Sequence, residues 1–460
     1  MLKRLLKFIS PKSPIPQATK MHIVPRDEHN VSRRDISQSA LKVMKRLHEG
    51  NYQAYLVGGG VRDVLLGGKP KDFDVATNAT PEQVKRLFRN SRIIGRRFRI
   101  VHVRFGREVI EVTTFRASHE EAKNRKEAQQ NESGMLLRDN VYGDIHSDAM
   151  RRDFTVNALY YTNEDFCIYD YTGGLKDIEH RQIRMIGEPT VRFQEDPVRL
   201  LRAVRFAAKL DFTIEPNTAQ PIPELGHLLN DIPSARLWDE SLKLFMSGHA
   251  LSTYLGLCQY NLFQYLFPGS AEHIDSHPIA KEFFRRAMVN TDRRIQADKR
   301  VTPAFIFAVL MWPEVQHTQK QLEQEGNTPS QALQQASQQV ISRQLTRISI
   351  PKRFTMTVRD IWDLQLRLPK RAGHRALRTF EHPKFRAAYD FLLLREESGE
   401  ETNGLAQWWT EYQNADEVSR EKMANDQHGK GKSRRAPRRR SRKRKPSGSH
   451  THSEQSSENP

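Results

Sequence analysis

Strand character in this chain stops near residue 195. Ahead of that point short β-like runs recur, at Tyr55–Val57, Phe73–Ala76, Phe98–Phe105 and Val109–Phe115. The last two flank Gly106-Arg107, the spacing of a two-residue hairpin turn. Residues 35–50 and everything past 195 read differently. Apolar residues there return at helical spacing, as in Val198–Leu210, Leu237–Met246, Pro303–Met311 and Ala387–Leu394. Strands gathered at one end and helices at the other do not make alternating βαβ units. They make an α+β protein: a head with a small mixed sheet and helices, then an all-α neck and body. The 460 residues divide accordingly. We expect a flexible basic N-terminus (1–30), the head (31–186), a helical neck (187–275), a helical body (276–425) and a disordered tail (426–460).

The tail carries much of the charge. The chain has 74 Lys and Arg against 55 Asp and Glu, a net +19. Eleven of those cations, with no acid among them, stand in residues 430–445, KGKSRRAPRRRSRKRK. The segment has no apolar period and cannot bury a core. A solubilising tail is one reading; an arm for a polyanion, nucleic acid first, is the one we favour. Two cysteines, Cys167 and Cys258, exclude a disulfide scaffold and fit a reducing, cytoplasmic setting. No run approaches the roughly 20 apolar residues of a spanning helix. The N-terminus, MLKRLLKFIS, is basic with a short apolar set and lacks a small-residue cleavage site. A secretory signal is therefore not expected, and weak association with a membrane surface is the most it allows. Residues 118–134 are polar and turn-rich, the composition of a loop.

Chemistry concentrates in the head. Tyr55-Leu-Val runs into Gly58-Gly59-Gly60 and then Val61-Arg62-Asp63, a strand passing through glycines into a helix. Glycines there let backbone N–H groups close around phosphate oxygens, and Arg62 adds a fork to the same oxygens. A tight turn is the plain alternative. Asp72-Phe73-Asp74 follows. On a strand the two carboxylates share one face while Phe73 and Val75 enter the core. Two such carboxylates repel unless a cation lies between them, and Mg²⁺ favours one or two carboxylates plus water and phosphate. A third acid has two candidates. Glu111 alternates with Ile110 and Val112 on a neighbouring strand. Asp153, in Arg151-Arg152-Asp153-Phe154, stands where we read a helix start, with Asn157 on the same face. Finally, Asp196-Pro197 reads as a helix opening. Arg199 and Arg202 then share a face suited to planar recognition of a base or phosphate, or form an ordinary basic face.

In order, GGGVRD…KDFD, IEVTTFR, RRDFTVNAL and EDPVRLLRAVRF resemble the nucleotidyltransferase family that holds bacterial poly(A) polymerases and tRNA CCA-adding enzymes, over about residues 53–275. The resemblance implies that Asp72 and Asp74 hold the metal and that Asp153 joins them as a catalytic acid. It implies nucleotide contacts from Gly59, Arg62 and Arg152, and reading of the incoming base by Asp196, Arg199 and Arg202. The implied reaction is attack of an RNA 3′-hydroxyl on the α-phosphate of ATP without a template, with Mg²⁺ as cofactor and pyrophosphate leaving. Implied partners are ATP, RNA 3′ ends, and RNA helicases or ribonucleases. The run from Ile93 to Val103, Ile350-Pro351-Lys352-Arg353, His382-Pro383-Lys384-Phe385-Arg386 and the Arg-rich tail resemble the poly(A) branch. The alternatives are CCA addition to tRNA and, in another class, non-catalytic RNA binding.

Overall fold

The structure is a computed structural model that describes residues 21–95, 99–117, 129–130, 136–138, 141–274 and 278–432. Eight strands form the head sheet: β1 (His22–Val24), β2 (Ala54–Val57), β3 (Asp74–Thr77), β4 (Ser91–Ile94), β5 (Ile100–Phe105), β6 (Glu108–Thr114), β7 (Leu159–Tyr161) and β8 (Ile168–Asp170). Their order is β1-β8-β7-β2-β3-β6-β5-β4. Every neighbouring pair is antiparallel except β3 and β6, which run parallel. The expected hairpin is present, with Phe105 opposite Glu108 and Gly106 at φ 60° in the turn. Helix α1 (Gln38–Glu49) is capped by Ser37, whose hydroxyl accepts from the Ala40 N–H. Its apolar stripe of Ala40, Val43, Met44 and Leu47 packs on the sheet through Leu56, Val75, Ile110 and Val112.

Two short helices carry the site: α2 (Gly59–Leu65) after β2, and α4 (Ile145–Arg151) before β7, with α3 (Pro81–Leu87) between them in the chain. The neck opens with α5 (Pro189–Glu195) and α6 (Val198–Leu210), followed by α7 (Ser234–Phe245) and α8 (Ala250–Gln259). The body continues as α9 (Pro278–Gln296), α10 (Pro303–Gln324), α11 (Pro329–Arg347), α12 (Lys352–Arg367), α13 (Phe385–Glu397), α14 (Leu405–Asn414) and α15 (Glu417–Lys432). One buried apolar cluster joins neck and body, from Val198 and Leu201 to Trp362 and Leu394, and includes Phe154 and Val156 of the head. A separate cluster around Trp409 holds the last helices. Among the described residues no helix is long and apolar enough to cross a membrane.

The structure departs from the expected layout in five places. Thr213–Ile214, inside the neck expected to be all-α, forms a short strand that pairs in parallel with Gln182–Ile183, because two residues are too few to show a strand period. His22–Val24, placed in a flexible terminus, pairs with β8 and buries Val24. Helix α15 runs on to Lys432, so the tail's first residues are helical. The rest of the tail, and residues 1–20, lie outside the described residues. Within the expected loop at 118–134, Gln129–Gln130 pairs with Leu136–Arg138, and the remainder lies outside the described residues. The Arg-Arg-Asp stretch begins no α-helix, only a single 3-10 turn at Thr155–Asn157. Helix α4 ends at Arg151, and Phe154 is tied to Met185 by an isolated β-bridge. That tie and the burial of Phe154 outweigh local propensity there.

Candidate active site

The glycine turn works as a handover from strand to helix. Gly58 sits at φ 74°, a conformation that side chains rarely adopt. A Cβ there would lie 3.7 Å from Nη1 of Arg152, and one on Gly60 would lie 3.3 Å from the Phe73 ring. The turn is therefore closed in by Phe73 on one side and by an arginine on the other. Asp72 stands just ahead of β3, and Asp74 is its first residue.

Strand pairing brings the carboxylates together. Asp74 lies opposite Val57 on β2 and opposite Glu111 on β6. Phe73 and Val75 are buried, as the alternation requires. Burial pushes the Asp74 carboxyl up to about 6. Glu111 and then Asp72 push the same way, while Arg152 pulls against them. Burial is the main cause, and the neighbouring carboxylates add to it. Glu111 has one partner of its own: its Oε1 is 3.2 Å from Nε2 of His102.

Arg152 is held in place from behind. Its Nε donates to the Tyr160 hydroxyl at 2.9 Å, and its Nη2 donates to Oδ2 of Asp148 at 3.1 Å. The Tyr160 hydroxyl donates to the same Asp148 oxygen at 2.6 Å. Asp148 and Tyr160 are buried, so this is a dry brace that aims Nη1 at the glycine turn.

A second network stitches head to neck. Arg62 is buried; it donates to Oδ1 of Asp63 at 2.8 Å and to Oδ1 of Asn157. Asn157 donates to Oδ1 of Asp153 at 3.1 Å, and Arg202 of α6 donates to Oδ2 of Asp153 at 2.7 Å. Burial alone would raise the Asp153 carboxyl, but Arg202 and Asn157 hold it far below the usual carboxylate range. Lys209 reaches Oδ2 of Asp63 at 2.9 Å. The Phe206 ring lies under three guanidinium groups: Arg62 at 5.2 Å, Arg202 at 5.1 Å and Arg205 at 4.4 Å.

The expected residues thus fall into two groups. Asp74, at the start of β3, lies beside Glu111 of the neighbouring strand, with Arg152 and Asp72 near enough to act on its charge, whereas Gly59 lies beside the Arg62 guanidinium. Asp153, Arg62 and Arg202 form the head–neck stitch, so of the two candidate third acids it is Glu111 that neighbours Asp74. Asp196 accepts from Arg236 at 2.8 Å. Arg199 is buried, and its Nη1 donates to the Arg192 carbonyl at 2.8 Å and meets Glu195 at 3.3 Å. Arg199 and Arg202 therefore address different partners. Sequence reasoning passed over Asp148, Tyr160, Arg192 and Arg205. Arg192 donates to the carbonyls of Arg151 and Arg152 at 2.6 and 2.8 Å and to Glu195 at 2.6 Å. Arg205 has its Nε buried without a hydrogen-bond partner among the described residues, and burial lowers its pKa to about 10. A run of four arginines in EDPVRLLRAVRF and its neighbours was the available signal, but one-dimensional spacing does not separate braces from contacts.

Comparison with known proteins gives the site its family. Family models match residues 54–184 ("Poly A polymerase head domain"), 211–274 ("Probable RNA and SrmB-binding site of polymerase A") and 325–445 ("Polymerase A arginine-rich C-terminus"). The chain is 51 % identical over 430 residues to poly(A) polymerase I of Escherichia coli O6:H1, covering 92 % of each. It is 37 % identical over 230 residues to the CCA-adding enzyme of Bacillus subtilis, half of this chain and 55 % of that one. Its fold is similar to that of the Thermotoga maritima CCA-adding enzyme complexed with tRNA, with a TM-score of 0.55, 21 % identity and 85 % coverage of both chains. With half of its residues shared over nine-tenths of its length, the chain belongs to the poly(A) polymerase family, whose reaction is template-independent adenylyl transfer.

Proposed function

We propose that the start of β3 is where this chain transfers AMP from ATP to RNA 3′ ends, with Asp72 and Asp74 as the metal-holding pair. The observation that carries this is the position of Asp74. It lies between Asp72 and Glu111, beside a glycine turn faced by Arg152, with its carboxyl raised to about 6. Enzymes of this family use divalent metals. The carboxylate oxygens of Asp72 and Asp74 fit Mg²⁺ by donor type, and among the described residues no group of three or more His, Cys, Asp or Glu side chains is placed to hold a metal. The remaining positions are left to water and substrate phosphate, the shell Mg²⁺ prefers. When bound, such an ion offsets the carboxylate repulsion and the charge that builds at the α-phosphate.

The chain's own groups do the rest. The turn at Gly58–Gly60 and Arg152 seat the triphosphate, with Gly59 leaving the helix start open. Asp148 and Tyr160 keep Arg152 from relaxing away. Asp153 and Arg62 position the neck against the head through Arg202 and Asn157. Asp196 and Arg202 would serve the base side, with Arg199 acting from behind through the Arg192 carbonyl and Glu195, and the Nε of Arg205 and Nη1 of Arg236, buried without hydrogen-bond partners among the described residues, offer donors to an incoming acceptor. The RNA 3′ oxygen bonds to the α-phosphorus, the bond to the bridging oxygen breaks, and pyrophosphate leaves. The neck segment at 211–274, matched to an RNA-binding model, supports an RNA partner. Helicase or ribonuclease partners would dock on the helical part.

The test is extension of a generic RNA with Mg²⁺ and one nucleotide at a time. Long products from ATP alone are expected; addition that stops at CCA on truncated tRNA would overturn the reading. Asp72→Ala and Asp74→Ala are each expected to lower turnover by roughly three orders of magnitude or more. RNA affinity should largely survive in both.

A further inference from the structure

A second basic surface lies in the body, away from the residues assigned above. The end of α9, the turn into α10 and the start of α13 enclose a groove of about 470 Å³. Arg293, Arg294, Arg300 and Lys384 line it, with Val301 and Phe305 as part of an apolar wall. Three of these cations are exposed, and Lys384 is half-buried. The groove's carboxylates are already engaged: Asp390 pairs with Arg386 at 3.0 Å, and Glu397 lies 3.5 Å from Arg286. The four lining cations have no carboxylate within ion-pair distance among the described residues. Arg293 donates to the Asn290 amide oxygen at 3.4 Å, and Arg294 donates to the Arg300 carbonyl at 3.2 Å and lies within the field of Asp390.

Cations crowded in one groove repel each other, and a polyanion relieves that repulsion. The apolar wall adds a second requirement. Val301 and Phe305 offer a face for a ring, while guanidinium forks suit phosphate oxygens. A bare inorganic anion would use only half of this; a chain of nucleotides uses both. Residues 290–305 fall between the matched family segments, which end at 274 and resume at 325. We propose that this groove binds the phosphodiester backbone of single-stranded RNA, upstream of the 3′ end being extended. The proposal rests on RNA being the substrate and adds a holding site for it.

The test uses the full chain with Arg293→Gln, Arg300→Gln and Lys384→Gln combined. Binding of an oligo(A) of about 20 nucleotides is measured across a salt series, beside AMP addition to primers of about 4 and about 20 nucleotides. The affinity of the long strand should fall about tenfold, and its salt slope should become shallower by about 2. Addition to the short primer should stay at the wild-type rate, which keeps this outcome separate from a failure of the activity itself. A charge-keeping variant, Arg293→Lys with Arg300→Lys, should keep the wild-type salt slope while losing part of the affinity, and so separates the charge from misfolding as the cause. Unchanged affinity and salt slope would overturn the proposal, as would an equal loss for both primer lengths. So would a variant that binds RNA normally but loses binding to an acidic peptide.

Discussion

Asp74 shows what a half-buried carboxylate proposed for the metal site costs its own fold. Its carboxyl is raised to about 6 by burial, Glu111 and Asp72. A raised carboxyl binds its proton more tightly in the folded state than in the unfolded one. The folded state is thus favoured most below the unfolded pKa, near 3.8, and loses that advantage as pH climbs through about 6. In metal-free protein at pH 7.5, Asp74→Asn should therefore stabilise the fold by on the order of 2 kcal/mol. At pH 4 the same change should do little. Thermal melting of chelated samples at the two pH values checks this, and a variant less stable at pH 7.5 would refute it. At this scale the sequence was informative where chemistry follows type and spacing. Asp72-x-Asp74 after three glycines marked the pair proposed for the metal, although the strand begins only at Asp74 and Asp72 stands ahead of it. It was uninformative for Asp148 and Tyr160, because a buried brace is defined by what it touches, and those partners are distant in the chain.

Among elements, the hairpin at Gly106-Arg107 and the strand-to-helix passage at Gly58–Gly60 were legible, since each rests on local backbone requirements. The three-residue strands β1, β7 and β8 were not, because each is too short to show a period and exists through its neighbours. The Arg-Arg-Asp stretch misled for a related reason: a tertiary bridge at Phe154 decides its shape. Helix α5 shows how strongly such ties act. Arg192 holds the carbonyls of Arg151 and Arg152 and the carboxylate of Glu195 in a buried setting. Replacing it with Met should cost roughly 3 kcal/mol, by stripping the Arg151 and Arg152 carbonyls of their buried donor and leaving Glu195 with Arg199 as its ion-pair partner. It should also raise KM for ATP, because the backbone beneath Arg152 is freed. Urea unfolding and steady-state kinetics measure the two effects. A stable variant with normal KM would remove Arg192 from the account.

For the whole molecule, the net +19 divides into a dense terminal run and a folded part whose arginines are mostly committed to partners. Removing residues 433–460 should leave adenylate addition intact, weaken RNA binding and flatten its salt dependence. An unchanged salt slope would mean that the tail does not hold RNA. The division into a mixed head and a helical remainder was readable from where strand patterns stop. The single core shared by neck and body was not, because helical periodicity marks a buried face without naming its partner. The parallel pairing of β3 with β6 carries a consequence for how the protein is made. Asp74 leaves the ribosome well before Glu111, and between them the chain must run out through α3, β4 and β5 and return. Closing such a loop precedes any reward from the contact it makes. The stitch to Arg202 waits longer still, until α6 has been synthesised. A nascent head therefore exposes its carboxylates to solvent apart from one another, and the head–neck stitch is incomplete until translation has passed well into the neck.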